Sequence, residues 1–249
     1  MAKIEKEVFV CLDCETTGLD AVQDRIIEVA VVRFTVDGIL EEFETLVNPE
    51  YPISEDSQAI HHITADMVKD KPLIQDLLPK ILNIIGDHII VGHGVGFDIQ
   101  LLANAAARHN IPSNIHLNRF LDTLRMARYY GQSPVNSLEK LRSHFNIPAI
   151  GAHRAMGDVM VNVEVFKSLA KDHETTEKLF DILSRPILFK NMPLGKHKGR
   201  LMREVPMEYL MWASHKDFDQ DLLFSIRSEI KRRKAGNLFA QSANPFHDL

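Results

Sequence analysis

Three apolar, β-branched runs follow one another within the first fifty residues: EVFVCLD, RIIEVAVVRF and GILEEFETLVNP. Residues of this kind pack well on a pleated surface. Asp37-Gly38, between the second and third runs, is a strong hairpin signal. The chain is therefore expected to open as a meander of three strands. Downstream the period changes. PLIQDLLPKILNII carries apolar positions at helical spacing, HIIVGH reads as a short buried strand, and FDIQLLANAAARHN as a helix. DTLRMARYY and SLEKLRSHF predict two more helices with Asp122 and Ser137 as N-caps, and RAMGDVMVNVEVFKSLAKD predicts a long amphipathic one. A meander followed by strands alternating with helices implies an α/β fold, a mixed sheet covered by helices on both faces.

The first strand ends in two acids one residue apart, Asp13 and Glu15. Alternation along a strand points both to the same side. Two further acidic clusters fall where a strand or loop meets a helix: Asp98 in GHGVGFD, and His153 with Asp158 in GAHRAMGD. Four carboxylates gathered at one end of a sheet cannot all stay ionised unless cations neutralise them. Hard oxygen ligands favour Mg²⁺ or Mn²⁺ over zinc. Two such ions roughly 3.5–4 Å apart can clamp the attacking and leaving oxygens of a phosphodiester.

The blocks D-x-E-T-T-G-L (Asp13–Leu19), G-H-x-x-x-F-D (Gly92–Asp98) and H-R-A-x-x-D (His153–Asp158) resemble, in order and separation, those of the DEDDh 3′→5′ exonucleases. That family includes the proofreading epsilon subunit of bacterial DNA polymerase III, exonuclease X and oligoribonuclease-like enzymes. The resemblance covers about the first 170 residues and implies a ribonuclease H-like, five-stranded mixed sheet. It implies that Asp13, Glu15, Asp98 and Asp158 ligate two Mg²⁺ ions, with Mn²⁺ able to substitute, and that His153 is the general base. An imidazole suits that task because its ordinary pKa lies near neutrality. It also implies that Thr16 and Thr17 meet the terminal nucleotide through main-chain groups and that Leu19 wedges against its base. Phe97 joins the substrate residues, as do His61 and Ile63 of AIHHIT, with Ile63 packing on sugar or base. One departure is Gly94, which stands where relatives carry an asparagine.

Other features have plainer readings. Cys11 and Cys14 form C-x-x-C, but no second pair or H-x₃₋₅-H run completes a zinc site, so they are strand packing residues in a reducing cytosol. His93 orients its loop, His62 lies on the surface, Asp122 caps a helix and Trp212 belongs to a core. GHGVGF lacks the third glycine of a dinucleotide loop. No apolar run is long enough to span a membrane and the N-terminus lacks a signal-peptide h-region, which predicts a cytoplasmic protein.

Composition shifts near Asp172. Residues 173–249 hold 13 Lys/Arg against 10 Asp/Glu, in a chain of net charge −5. Three regions are expected: an exonuclease domain over 1–172, a small basic α+β module over 173–235, and a flexible tail over 236–249. In the module, RPILFKNMPLGKHKGRLMREVP reads as short strands around a basic turn, followed by helices at MEYLMWAS and DLLFSIRSEIKRR. LGKHKGRLMREVPMEYLMWA is similar to the C-terminal module of exonuclease X-like proteins. Lys196, Lys198 and Arg200 are either nucleic-acid phosphate contacts or a merely solvated turn. KRRK is a charged helix end. QSANPF resembles the peptides that dock sliding clamps, with a tail that binds nothing as the favoured alternative.

The activity implied is removal of nucleoside 5′-monophosphates from 3′ ends of single-stranded DNA, in proofreading or repair. The enzyme would act alone or docked to a DNA polymerase. Two alternatives stand beside it: an RNA-trimming exoribonuclease, and a non-catalytic nucleic-acid or clamp-binding subunit.

Overall fold

A computed structural model describes residues 3–133, 135–148 and 154–242, with side chains as far as 235. His153 and residues 243–249, most of QSANPF among them, lie outside these. The chain divides into two compact units, 1–182 and 183–249.

In the first unit the three expected strands form β1 (Phe9–Thr16), β2 (Ile26–Thr35) and β3 (Gly38–Leu46). Two short helices, α1 (Glu55–His61) and α2 (Ala65–Val68), precede α3 (Ile74–Ile85), β4 (Ile89–Gly92) and α4 (Gly96–Arg108). Then come β5 (Phe120–Asp122), α5 (Thr123–Tyr130), α6 (Leu138–His144), α7 (Ala155–Ala170) and α8 (Thr176–Leu183). The sheet order is β3-β2-β1-β4-β5. β2 runs antiparallel to both β1 and β3, whereas β4 is parallel to both β1 and β5. This is the mixed five-stranded sheet expected. The hairpin after β2 turns on Val36-Asp37, because Gly38 already pairs with Thr35 and so opens β3.

Alternation along β1 divides its side chains between two layers. Val10 and Leu12 join Val29, Val31 and the apolar faces of α3 and α4 in one core, and Cys14 packs against it. Phe9 and Cys11 point the other way. The Cys11 sulfur lies 3.7 Å from the Val159 carbonyl of α7, and the Phe9 and Phe166 ring centroids are 4.8 Å apart. The two thiols therefore face opposite sides, as packing residues would, and both are free. Asp122 caps α5, accepting from Leu124 N at 2.8 Å; Ser137 holds the N-cap position of α6 but makes no side-chain bond there.

The second unit contains α9 (Met207–Ala213) and α10 (Gln220–Ser242) around Met192, Met202, Val205, Leu210, Leu222 and Ile226. The short strands expected before α9 reduce to one antiparallel bridge, Asn191 to Leu201, flanked by two 3-10 turns. Side chains of α10 do the stapling instead: Asp221 accepts from Ile187 N at 3.1 Å and Ser225 from Phe189 N at 2.9 Å. In KRRK, Arg232 and Arg233 both pair with Glu229, and Arg233 also donates to the carbonyls of Val205 and Met202.

Two boundaries differ from expectation. Except for its last residue, α8 belongs to the first unit, so the division falls at 182/183 and not at 172/173. One reason is the ion pair of Glu177 with Arg119, at 2.6 Å, and the stacking of that guanidinium 3.6 Å over Phe180. Helix α10 continues past Gly236 to Ser242, where a tail was expected. Among the described residues no helix is long and apolar enough to cross a membrane.

Candidate active site

The carboxyl ends of the parallel strands β1, β4 and β5 lie on one edge of the sheet, where open α/β sheets commonly bind their ligands. Asp13 and Glu15 stand near the end of β1, on the face that Cys11 turns toward α7. Asp158 lies in the first turn of α7. The consequence is a cluster: Asp13, Glu15 and Asp158 each bring a carboxylate oxygen within 4.8 Å of the others.

Asp98 arrives from the opposite layer. β4 stops at Gly92, and Asp98, buried in the first turn of α4, accepts from the Cys14 amide at 3.0 Å. It stands outside the mutual 4.8 Å group, yet of the carboxylates it acts most strongly on Asp13. Burial first, and then Asp98, Glu15, Asp158 and Glu28, push the Asp13 carboxyl well above the usual range. Burial and the Asp158 carboxylate raise Glu15 to about 7, against the opposing pull of Arg154. Burial also takes Asp98 to about 7, although the Cys14 amide favours its anion. Hard oxygen donors, gathered closely and short of countercharge, fit divalent cations.

A further acid supports this group from behind. Glu28 pairs with Glu15 across the β1–β2 ladder and is wholly buried. Its carboxylate receives Arg154 Nε at 2.9 Å and the Ala155 amide at 3.0 Å. Arg154 is the N-cap of α7 but makes no side-chain cap bond, so a carboxylate from β2 does the capping. The acidic blocks do not lead to Glu28. Its signal in the sequence is a lone carboxylate inside the apolar run IIEVAVV.

The remaining expectations divide. Leu19 is 88% exposed at the turn after β1. Thr17 is a brace: its amide donates to the Arg25 carbonyl, its carbonyl accepts from Ser54 N, and its hydroxyl donates to Asp24 at 2.7 Å. Its amide and hydroxyl hydrogens are thus both committed within the chain. Thr16 is buried, its hydroxyl turned to the Gly18 carbonyl. Phe97 is half-buried against the α3–α4 core. Ile63 corrects its expected role: it has no exposed surface and packs with Ile27 and Val68, so it cannot lie against a sugar.

His61 is buried as well, its Nδ1 accepting from Ile63 N at 2.9 Å while Nε2 has no hydrogen-bond partner. Burial lowers its pKa, although the nearby Thr16 carbonyl favours the protonated ring. His93 bonds Thr123 at 3.1 Å, which agrees with an orienting role. Gly94 has φ +76°, backbone that an asparagine tolerates better than most side chains. Lys196, Lys198 and Arg200 are exposed, and so is Trp212, at 51%, where a core residue was expected.

The family model RNase_T, described as Exonuclease, matches residues 10–166. The QSregVF_b model, of a family named for quorum-sensing-regulated virulence, matches residues 181–230. The chain is 33% identical over 165 residues to the DNA polymerase III subunit epsilon of Aquifex aeolicus, covering 66% of this chain and 81% of that one. It is 34% identical over 197 residues to the PolC-type DNA polymerase III of Caldanaerobacter subterraneus, covering 78% of this chain but only 14% of that protein. Among solved structures, exonuclease X in complex with 5′-overhanging duplex DNA aligns with a TM-score of 0.57 and 28% identity, over 70% of this chain and 99% of the other. Exonuclease I, at 24% identity and a TM-score of 0.61, shares the fold. The acids assembled at the end of β1, within a match that runs across most of the first unit, place this chain in the exonuclease family, in its DEDDh 3′→5′ branch.

Proposed function

We propose that the chain removes nucleoside 5′-monophosphates one at a time from the 3′ ends of DNA, preferring single strands and depending on Mg²⁺. The observation that carries this reading is the meeting of Asp13, Glu15 and Asp158, with Asp98 beside them, in a member of the exonuclease family. DNA is favoured over RNA because the relatives are named as DNA polymerase III components and exonuclease X was solved with DNA. An epsilon-like role docked to a polymerase, in the cytoplasm, is part of the same reading, and the names of the relatives support the polymerase association.

Asp13, Glu15, Asp98 and Asp158 would hold two divalent cations. Such ions supply Lewis acidity and neutralise charge at a phosphodiester. His153 takes the proton of the attacking water, whose oxygen bonds to phosphorus as the bond to the leaving 3′-oxygen breaks. Leu19 lies against the terminal base and sets the scissile bond in register. Arg154, next in sequence to His153, pairs with Glu28.

The test is direct. Purified protein is given a 5′-labelled strand, as DNA and as RNA of one sequence, with Mg²⁺, Mn²⁺ or chelator. Stepwise shortening of the DNA with metal and none with chelator is expected. No shortening with either metal would favour the non-catalytic reading, and faster loss of the RNA would reverse the substrate order.

A further inference from the structure

The second unit carries an aromatic surface that no catalytic role absorbs. Tyr209 and Trp212 stand three apart on α9 and so share one helix face. Their ring centroids are 5.3 Å apart, and the His197 ring meets Tyr209 edge-on at 4.6 Å. Trp212 is 51% exposed. A Trp left half in water on a helix with a buried side is unusual, because indole gains more from burial than most side chains.

The backbone under these rings is specialised. Gly195 has φ +72°, and a Cβ there would lie 2.5 Å from the Tyr209 hydroxyl, so the turn closes directly on that hydroxyl. That turn presents Lys196, Lys198 and Arg200 to solvent, and Lys216 Nζ sits 4.9 Å over the Trp212 ring. Among the described residues none of these four cations is in an ion pair. From Pro186 to Arg203 the sequence has five basic residues and no acid. Clustered aromatics beside cations outside any ion pair match a strand of alternating bases and phosphates.

We propose that His197, Tyr209 and Trp212 form a base-stacking platform for single-stranded nucleic acid, with Lys196, Lys198, Arg200 and Lys216 taking its phosphates. This deepens the nucleic-acid reading given above. Bases stack on Trp212 and Tyr209 irrespective of identity, since every base has a π-face. The grip is sequence-independent and sensitive to salt.

Trp212 is the only tryptophan in the chain, so its emission reports on this surface alone. The full chain in chelator, which stops hydrolysis, is titrated with a short oligothymidylate. Quenching of the emission is expected to track binding measured independently by anisotropy of a labelled strand. Trp212→Ala should weaken that binding roughly 5- to 150-fold, whereas Trp212→Phe should retain most of it. The triple variant Lys196→Ala, Lys198→Ala, Arg200→Ala should flatten the log–log salt slope by about 2. All of these side chains are exposed or half-exposed, and unchanged thermal melts confirm that the variants fold.

Unaltered emission at saturation, or an unchanged affinity for Trp212→Ala, overturns the proposal and assigns the surface to another occupant, such as a protein. Because binding is read without turnover, its failure is separable from that of the function. Shortening without quenching removes the platform alone, and quenching without shortening removes the nuclease reading alone.

Discussion

The carboxylate of Glu28, wholly enclosed on β2, caps α7 through the Ala155 amide and holds the Arg154 guanidinium in the same grip. The pair joins the strand beside β1 to the helix that carries Asp158. Its two ends are unequal, since the Arg154 side chain is 45% exposed and Glu28 is not exposed at all. Arg154→Ala would strand a buried anion and is expected to cost about 3–5 kcal/mol. Glu28→Gln leaves an arginine that can reach water and should cost about 1–2 kcal/mol. Denaturant midpoints of the two variants decide the order; a larger loss for Glu28→Gln would contradict it.

Asp13 is expected to separate activity from stability. Asp13→Asn should lower kcat on the order of 10³-fold or more, because a ligand to the cations is gone. In chelator the same variant should melt higher than the parent, since one charge of a repelling cluster has been neutralised. Single-turnover rates and melting temperatures test both parts. A lower melt would mean that the carboxylates do not oppose one another.

The raised pKa values fix the sign of a pH dependence. Glu15 and Asp98 titrate near 7 in the folded chain and near 4 when unfolded, so the folded state binds the extra protons between those values. Metal-free stability is therefore fully present below about pH 4 for these groups and is lost as pH rises through about 7. Cations should reverse the loss. At pH 8, Mg²⁺ at about a hundred times its Kd there should raise Tm by roughly 5–10 °C, and the same Mg²⁺ concentration at pH 5 by less. Equal shifts at both pH values would refute this origin.

Leu19 should matter only when substrate is present. At 88% exposure it contributes little to the fold, so Leu19→Ala is expected to stay within about 0.5 kcal/mol of the parent. Its KM for single strands should rise several-fold. An unchanged KM would take Leu19 out of the site.

The first 170 residues were legible because their chemistry is local. Each acidic block sits at a strand or helix end, where alternation and capping are readable from neighbours alone. The meander, its following helices and the Asp122 cap emerge from the same signals. Glu28 was not legible, because its meaning depends on Arg154, 126 residues away. Ile63 failed for a related reason: a pocket-like segment can bring its histidine near the site while its isoleucine fills the core. Trp212, expected in a core on its hydrophobicity, stands half in water on α9, where one face of the helix is buried and the other is not. The strands expected around the basic turn shrink to one bridge, and Ile187 and Phe189 ahead of it bond instead to Asp221 and Ser225 of a later helix, a pairing that no local pattern announces.

The turn from Thr17 to Arg25 is cross-braced on itself. Asp24 accepts from the Thr17 hydroxyl and the Asp20 amide, while Asp20 accepts from the amides of Val22 and Gln23. A loop so laced has little freedom left to surrender, and Leu19 rides on it already extended into water. Docking of a DNA end on that leucine would thus shed hydration without freezing the chain. In a calorimeter, such a preset jaw gives a negative heat-capacity change with little ordering penalty.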